Sequence, residues 1–215
     1  MSETPQPKRP RVVAVAGNMG SGKSSLVEWL RHELDMIPFF EPNEENPYLS
    51  DFYGDMGRWA MSSQLFFLVR RFQISRDVAR RAAEDPRPVV QDRTIYEDAE
   101  VFAAHLHEKG HLDERDWAMY QDLYRTFRAE IRPPDLMIYL RCPLKTLTKR
   151  IQGRGRAFEK KIPQRYLASL ERLYEEWYAR YDLSPSLVIE TDRLDYIERL
   201  FDRLEVVEAI RSRLT

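Results

Sequence analysis

The chain has 215 residues, 43% of them hydrophobic and 32% charged, which suits one medium α/β domain with a sizeable core and does not require a second. Lysines and arginines number 34 against 35 acidic residues, and the net charge of -1 excludes an overall nucleic-acid or anionic-membrane footprint. There is no uninterrupted run of apolar residues long enough for a membrane span, and the single cysteine, Cys142, cannot form an internal disulfide.

Residues 1–10 carry three prolines and lack the apolar stretch of a signal peptide, so they are expected to form a disordered tail on a cytoplasmic, reduced protein whose single domain is 11–215. Short apolar runs then alternate with longer helical patterns. Residues 12–16 (VVAVA) suit a buried strand, followed by a glycine turn and a helix over 23–34. A second strand is expected at 37–40, a long helix at 58–83 and a third strand at 88–91. Helices follow at 96–109 and 113–131, the latter capped by Asp113 and ended by Pro133-Pro134. A fourth strand at 136–140, a helix at 144–152, a helix at 163–181 with Pro163 in its first position, a fifth strand at 187–190 and a helix at 196–213 complete the chain. Every pair of strands is separated by enough residues for a crossover helix, so the fold is expected to be a five-stranded parallel sheet flanked by helices.

The octet Gly17, Asn18, Met19, Gly20, Ser21, Gly22, Lys23, Ser24 fills the phosphate-loop pattern G-x-x-x-x-G-K-[S/T], with Ser25 next in the helix and a strand before it. Glycines let backbone N–H groups close around phosphate oxygens, and the helix N-terminus adds partial positive charge. Lys23 can reach the outer phosphates, and Ser24 can ligate Mg²⁺. The pattern predicts a nucleoside triphosphate. Other polar residues fall at the carboxyl ends of the expected strands: Glu41, Asp92-Arg93 and Thr191-Asp192, the edge on which open α/β sheets bind ligands. Gln64 and Arg71 lie seven residues apart on the long helix, about 10 Å along its axis and nearly on one face. Met61, Leu65, Leu68 and Phe72 form a separate apolar stripe that reads as packing. Arg150, Arg154 and Arg156, interleaved with Gly153 and Gly155, look like a short arginine-rich lid over about 153–161 that closes on the γ-phosphate.

GNMGSGKS, Glu41-Pro42 followed by Asn46-Pro47-Tyr48, the segment Tyr53…Arg58-Trp59…Gln64…Arg71, DRTIYED from Asp92 to Asp98, IYLR from Ile138 to Arg141 and RIQGRGRAFE from Arg150 to Glu159 together resemble the deoxyribonucleoside kinases, a group with the P-loop kinase fold. The resemblance spans most of the chain. It implies ATP-dependent phosphorylation of the 5′-hydroxyl of a deoxyribonucleoside. Glu41 would be the general base. Asp92 would join Ser24 at Mg²⁺, and Arg93 would neutralise charge near the reacting oxygen and orient Glu41. Residues matching Gln64, Arg71 and Asp98 bind the nucleobase edge in the family, with Arg71 and Asp98 expected as a half-buried ion pair. Tyr53 and Glu159 match positions that bind the sugar 3′-hydroxyl. Asn46, where an aromatic residue is common in cytidine kinases, and the Met and Ser residues at 61–63 leave base preference open. Retention of the Gln64, Arg71, Asp98 set points to purines, deoxyadenosine or deoxyguanosine, ahead of deoxycytidine.

The family also implies a homodimer. Alternatives are a thymidylate-like nucleoside monophosphate kinase, which an acidic Glu41 would disfavour by repelling the acceptor phosphate, and a catalytically silent nucleotide-binding subunit. His105, His107 and His111 are expected to be solvated or capping residues, because spacing of two on a helix points them apart. Tyr166, Tyr174, Trp177, Tyr178 and Tyr181 are read as packing or a subunit contact.

Overall fold

A computed structural model describes residues 11–40, 45–155, 162–192 and 200–214. Five parallel strands form its centre: β1 (Val12–Gly17), β2 (Ile37–Phe39), β3 (Val89–Asp92), β4 (Leu136–Arg141) and β5 (Ser186–Glu190), in the order β2-β3-β1-β4-β5. Val13 pairs with Val90 on one side and Leu136 on the other, so β1 is central and hydrogen-bonded along both edges. A strand in that position must be apolar on both faces, which is why VVAVA reads as a continuous run.

The two faces are covered by different helices. Val13, Val15, Val90, Ile138 and Leu140 point into one layer, against Leu26, Val27 and Leu30 of α1 (Lys23–Glu33) and Val206 and Ile210 of α9 (Leu200–Leu214). The alternate residues Ala14, Ala16, Met137 and Tyr139 point the other way. There they meet α3 (Met56–Glu84), α6 (Glu114–Glu130) and α8 (Gln164–Ala179), with α2 (Leu49–Gly54) packed against α3. Small alanines on this face of β1 let the second layer approach the sheet closely. The stripe at 61, 65, 68 and 72 packs into this layer, as do Tyr166, Tyr174 and Trp177, which are buried.

Several boundaries differ from expectation, each for a local reason. β2 stops at Phe39 and leaves Phe40 exposed; it lies on the sheet edge, where Pro38 is tolerated without its N–H. β3 shifts one residue to include Asp92, because Arg93 N donates to Val15 O and carries the ladder onward. α3 starts two residues early, capped by Asp55, whose side chain accepts from Arg58 N. α2 was not anticipated. The helix expected over 96–109 is α4 (Ile95–Glu97), a π-helical turn (Asp98–Ala103) and α5 (Ala104–Glu108). Pro163 is the N-cap of α8 and not its first residue. Asp113 caps α6, accepting from the backbone of Arg115 and Asp116. α7 (Leu144–Arg154) ends at Gly155, and most of the expected lid lies outside the described residues.

Candidate active site

The sheet order changes direction at β1, between β3 and β4, so the loop after β1 opens into the crevice at the strands' carboxyl ends. Gly17 has φ 145°, and a Cβ there would sit 2.8 Å from Leu140 O and from Ser21 Oγ. Gly22 caps α1 at φ 102° with no side-chain bond to the first-turn amides, and no acidic residue occupies that turn. The helix N-terminus therefore adds positive potential at the loop. Lys23 is buried and donates from Nζ to Asn18 O at 3.0 Å, across the loop. Asn18 pins the loop to α8 by donating to Leu167 O at 3.3 Å. Ser24 Oγ donates to Asp92 Oδ2 at 2.6 Å.

Arg150 meets this loop from outside. Its guanidinium donates to Ser21 O and Thr191 Oγ1 at 3.2 Å and to Thr191 O at 2.8 Å, bracing α7 against the loop and the end of β5. In this arrangement it holds the loop's backbone, whereas the expectation had it reaching over phosphate. Arg154 lies exposed in the last turn of α7.

Behind the loop is a buried polar knot. Arg93, 2% exposed, has φ 67°, a left-handed conformation that non-glycine residues adopt rarely and at a cost, often at functional sites. Its guanidinium stacks over Phe102, 4.6 Å from the ring centroid, and donates to Tyr174 Oη at 2.8 Å. Tyr174 in turn donates to Glu97 Oε1 at 3.0 Å. Glu97 has no exposed surface and also accepts from Gly17 N at 3.2 Å and Thr94 N at 3.0 Å. Burial pushes its carboxyl above the ordinary range, against the opposing pull of Arg93 and Lys23. Glu97 has no separate role in the sequence pattern, and Tyr174, expected to pack or to make a subunit contact, is indeed packed in the core but also carries a polar link. A readable signal existed for the first: Thr94-x-x-Glu97 is a capping-box pattern, and the structure forms both halves of it.

On the α3 side, Arg71 is fully buried and its Nε donates to Asp98 Oδ2 at 2.5 Å, while Nη1 donates to Asp92 O at 3.2 Å. The pair is thus buried outright and not half-buried, because the π-helical turn carries Asp98 beneath α3. Gln64, two turns earlier, is 4% exposed, and its Oε1 has no hydrogen-bond partner among the described residues. Tyr53 reaches Met19 Sδ of the loop at 3.4 Å and meets Tyr166 edge-on. Asn46 is buried, donating to Ser63 Oγ at 3.1 Å and accepting from Tyr48 N at 2.9 Å. The loop, Asp92, Arg93, Arg71, Asp98 and Tyr53 are therefore linked by direct contacts. Glu41, Arg156 and Glu159 lie outside the described residues.

Of the three histidines, one departs from expectation. His105 is buried, not solvated, edge-on to Tyr166, and burial depresses its pKa to about 4. His107 stacks on Trp117. Among the described residues no three His, Cys, Asp or Glu side chains cluster to hold a metal. A cavity of about 530 Å³ adjoins Asn18 and the ends of β4 and β5; a larger one of about 850 Å³ opens near Val12 and Pro88 at the amino ends of the strands and reaches Gln91 and Thr94.

A parallel α/β sheet whose first strand feeds a glycine loop, lysine and helix, with an Asp-Arg pair at the end of the adjacent strand, defines the class of phosphate-loop kinases. Residues 13–215 match the family model for deoxynucleoside kinases. A deoxyadenosine kinase of Lactobacillus acidophilus is 32% identical over 95% of this chain and 96% of its own length. A deoxyguanosine kinase of Lactobacillus johnsonii is 34% identical over 94% and 92%. A deoxyadenosine/deoxycytidine kinase of Bacillus subtilis is 31% identical over 94% and 92%. Among solved structures, the deoxyadenosine kinase of M. mycoides with products dCMP and a flexible dCDP bound superposes with a TM-score of 0.81 at 29% identity, covering 94% of this chain and 99% of that one. The same protein with bound dCTP gives 0.79 at 28%, with the same coverage. The chain belongs to the deoxynucleoside kinase family, and its activity is that of a deoxynucleoside kinase.

Proposed function

We propose that this kinase transfers the γ-phosphoryl of ATP to the 5′-hydroxyl of a purine deoxyribonucleoside, with deoxycytidine as a weaker substrate. The observation that carries this reading is the joining of two half-sites: a phosphate loop with a buried Lys23, and a buried Gln64 and Arg71–Asp98 group linked to it through the Asp92 backbone. Relatives named for deoxyadenosine and deoxyguanosine support the purine preference, and one named for both deoxyadenosine and deoxycytidine supports the second substrate.

In this reading the loop over 17–25 and Lys23 bind the polyphosphate, and Arg93 offsets charge on the transferring group. Glu41 accepts the 5′-hydroxyl proton as that oxygen forms the new bond to phosphorus and the bond to the ADP oxygen breaks. Tyr53 and Glu159 hold the 3′-hydroxyl, Gln64, Arg71 and Asp98 read the base, and Arg154 and Arg156 close from the lid, with Arg150 setting the loop behind them. Mg²⁺ held at Ser24 and Asp92 would supply charge neutralisation on the phosphates. The active unit is a homodimer, to be checked by solution mass, and its setting is cytoplasmic, which suits a buried, unpaired Cys142.

A coupled assay with the four deoxyribonucleosides and their monophosphates, with ATP or GTP and with or without EDTA, tests the proposal. Deoxyadenosine and deoxyguanosine should turn over fastest with ATP and stop with EDTA. Preference for monophosphates, or for deoxycytidine or thymidine, would overturn it. Glu41→Gln should keep nucleoside binding and lower kcat by about 10²-fold or more.

A further inference from the structure

A carboxylate with no solvent exposure is costly to keep unless donors replace its water, and Glu97 has four: Gly17 N and Tyr174 Oη on Oε1, Thr94 N at 3.0 Å and Thr94 Oγ1 at 3.4 Å on Oε2. These donors come from places far apart in the chain. Gly17 opens the phosphate loop after β1, Thr94 follows Arg93 at the end of β3, and Tyr174 stands on α8. Tyr174 gives its one proton to Glu97, so its oxygen is left as an acceptor and faces Arg93 Nη1 at 2.8 Å. Arg93 is held at a strained φ of 67°, a conformation that needs fixing from outside.

We infer that Glu97 and Tyr174 are positioning residues for phosphoryl transfer: together they fix the phosphate loop and the Arg93 guanidinium as one rigid unit. The inference rests on the proposed roles of that loop and of Arg93 in transfer. Glu97 itself has no exposed surface; it acts through Gly17, Thr94 and Tyr174. A hydrogen-bonded chain of this kind sets where a cation sits at the moment charge develops, and a displaced cation lowers the rate more than it weakens ground-state binding.

The test uses Tyr174→Phe, which keeps the ring packed against Trp177 and Tyr139 and removes only the hydroxyl, together with Glu97→Gln and the double variant. Tyr178→Phe, on the same helix but bonded to Ser186, is the control. Tyr174→Phe should lower kcat about 10- to 100-fold while KM for triphosphate and nucleoside changes less than about threefold. The double variant should lose no more than the worse single one, since both break one chain. Unchanged kcat in Tyr174→Phe, additive losses, or an equal loss in Tyr178→Phe would overturn the inference, and should Glu97→Gln fail to fold, Tyr174→Phe alone decides it. Hydrogen exchange gives a readout independent of substrate: Gln keeps a single oxygen acceptor, so at least one of the Gly17 and Thr94 amides should exchange about tenfold faster in Glu97→Gln, and unchanged protection of both also overturns it. A wild-type protein that phosphorylates no deoxyribonucleoside sinks the proposed function instead, leaving the exchange result to judge the linkage.

Discussion

Arg71 and Asp98 share a site that water does not reach, and the two obligations of such a pair can be separated experimentally. Removing one partner strands a buried charge, which typically costs 3–5 kcal/mol, whereas replacing both with apolar residues of similar size is often tolerated. Asp98→Asn should therefore lower stability in urea by about 3 kcal/mol. Arg71→Met with Asp98→Leu should recover at least half of that, while nucleoside turnover is lost if the pair reads the base as proposed. A double variant as unstable as the single one would contradict the ion-pair account, and a stable, fully active one would remove the pair from recognition. His105 makes a different statement. Burial is the main cause of its depressed pKa, with Lys109 adding to it, and the folded value is about 4 against an ordinary 6.5. The unfolded chain takes up this proton first as pH falls, so stability from the neutral ring is complete above about 6.5 and drains away towards 4. Between pH 7 and pH 5 the loss should be about 1–2 kcal/mol, and His105→Phe, keeping the contact with Tyr166, should remove that part of the slope in urea unfolding.

At the scale of elements, glycines of identical chemistry have opposite sensitivities because their surroundings differ. Gly17→Ala would drive a Cβ to 2.8 Å from a backbone carbonyl at a φ of 145°, and should cost about 2–4 kcal/mol in urea unfolding along with most triphosphate affinity. Gly153, inside α7 with nothing within 4 Å of an added Cβ, should gain up to about 1 kcal/mol on becoming Ala. The same contrast explains what could be read without coordinates. Five strands were legible because each carries a short cluster of β-branched or aromatic apolar residues between helical patterns, and the glycine loop because its spacing matches the phosphate-loop pattern. α2 escaped because six residues, LSDFYG, are too few to display a helical period. The π-helical turn escaped because one added residue in a helix hardly disturbs an apolar pattern, yet it is what sets Asp98 beneath Arg71. The face shared by Gln64 and Arg71 was legible from spacing, whereas the Glu97–Tyr174–Arg93 chain joins residues as far as 81 apart that no local pattern connects.

For the whole molecule, the decisive fact is how distant segments are tied at one edge of the sheet: Asn18 to Leu167, Arg150 to Ser21 and Gly17 to Glu97 are contacts between residues 149, 129 and 80 positions apart. Such a site is lost when the domain unfolds, so its ligands must stabilise the entire fold. At a hundredfold excess over Kd one ligand contributes about 2.7 kcal/mol, or roughly 5–10 °C in Tm for a chain of this size. If the loop and the α3 side are separate half-sites, their ligands should be separable by mutation. Lys23→Ala should abolish most of the Tm rise given by ATP with Mg²⁺ and keep the rise given by deoxyadenosine, while Arg71→Met with Asp98→Leu should do the reverse. Thermal unfolding of the three proteins with each ligand decides the matter: a Lys23→Ala protein that ATP still stabilises in full has its phosphate site elsewhere, and a paired substitution that leaves the deoxyadenosine shift intact has its base site elsewhere.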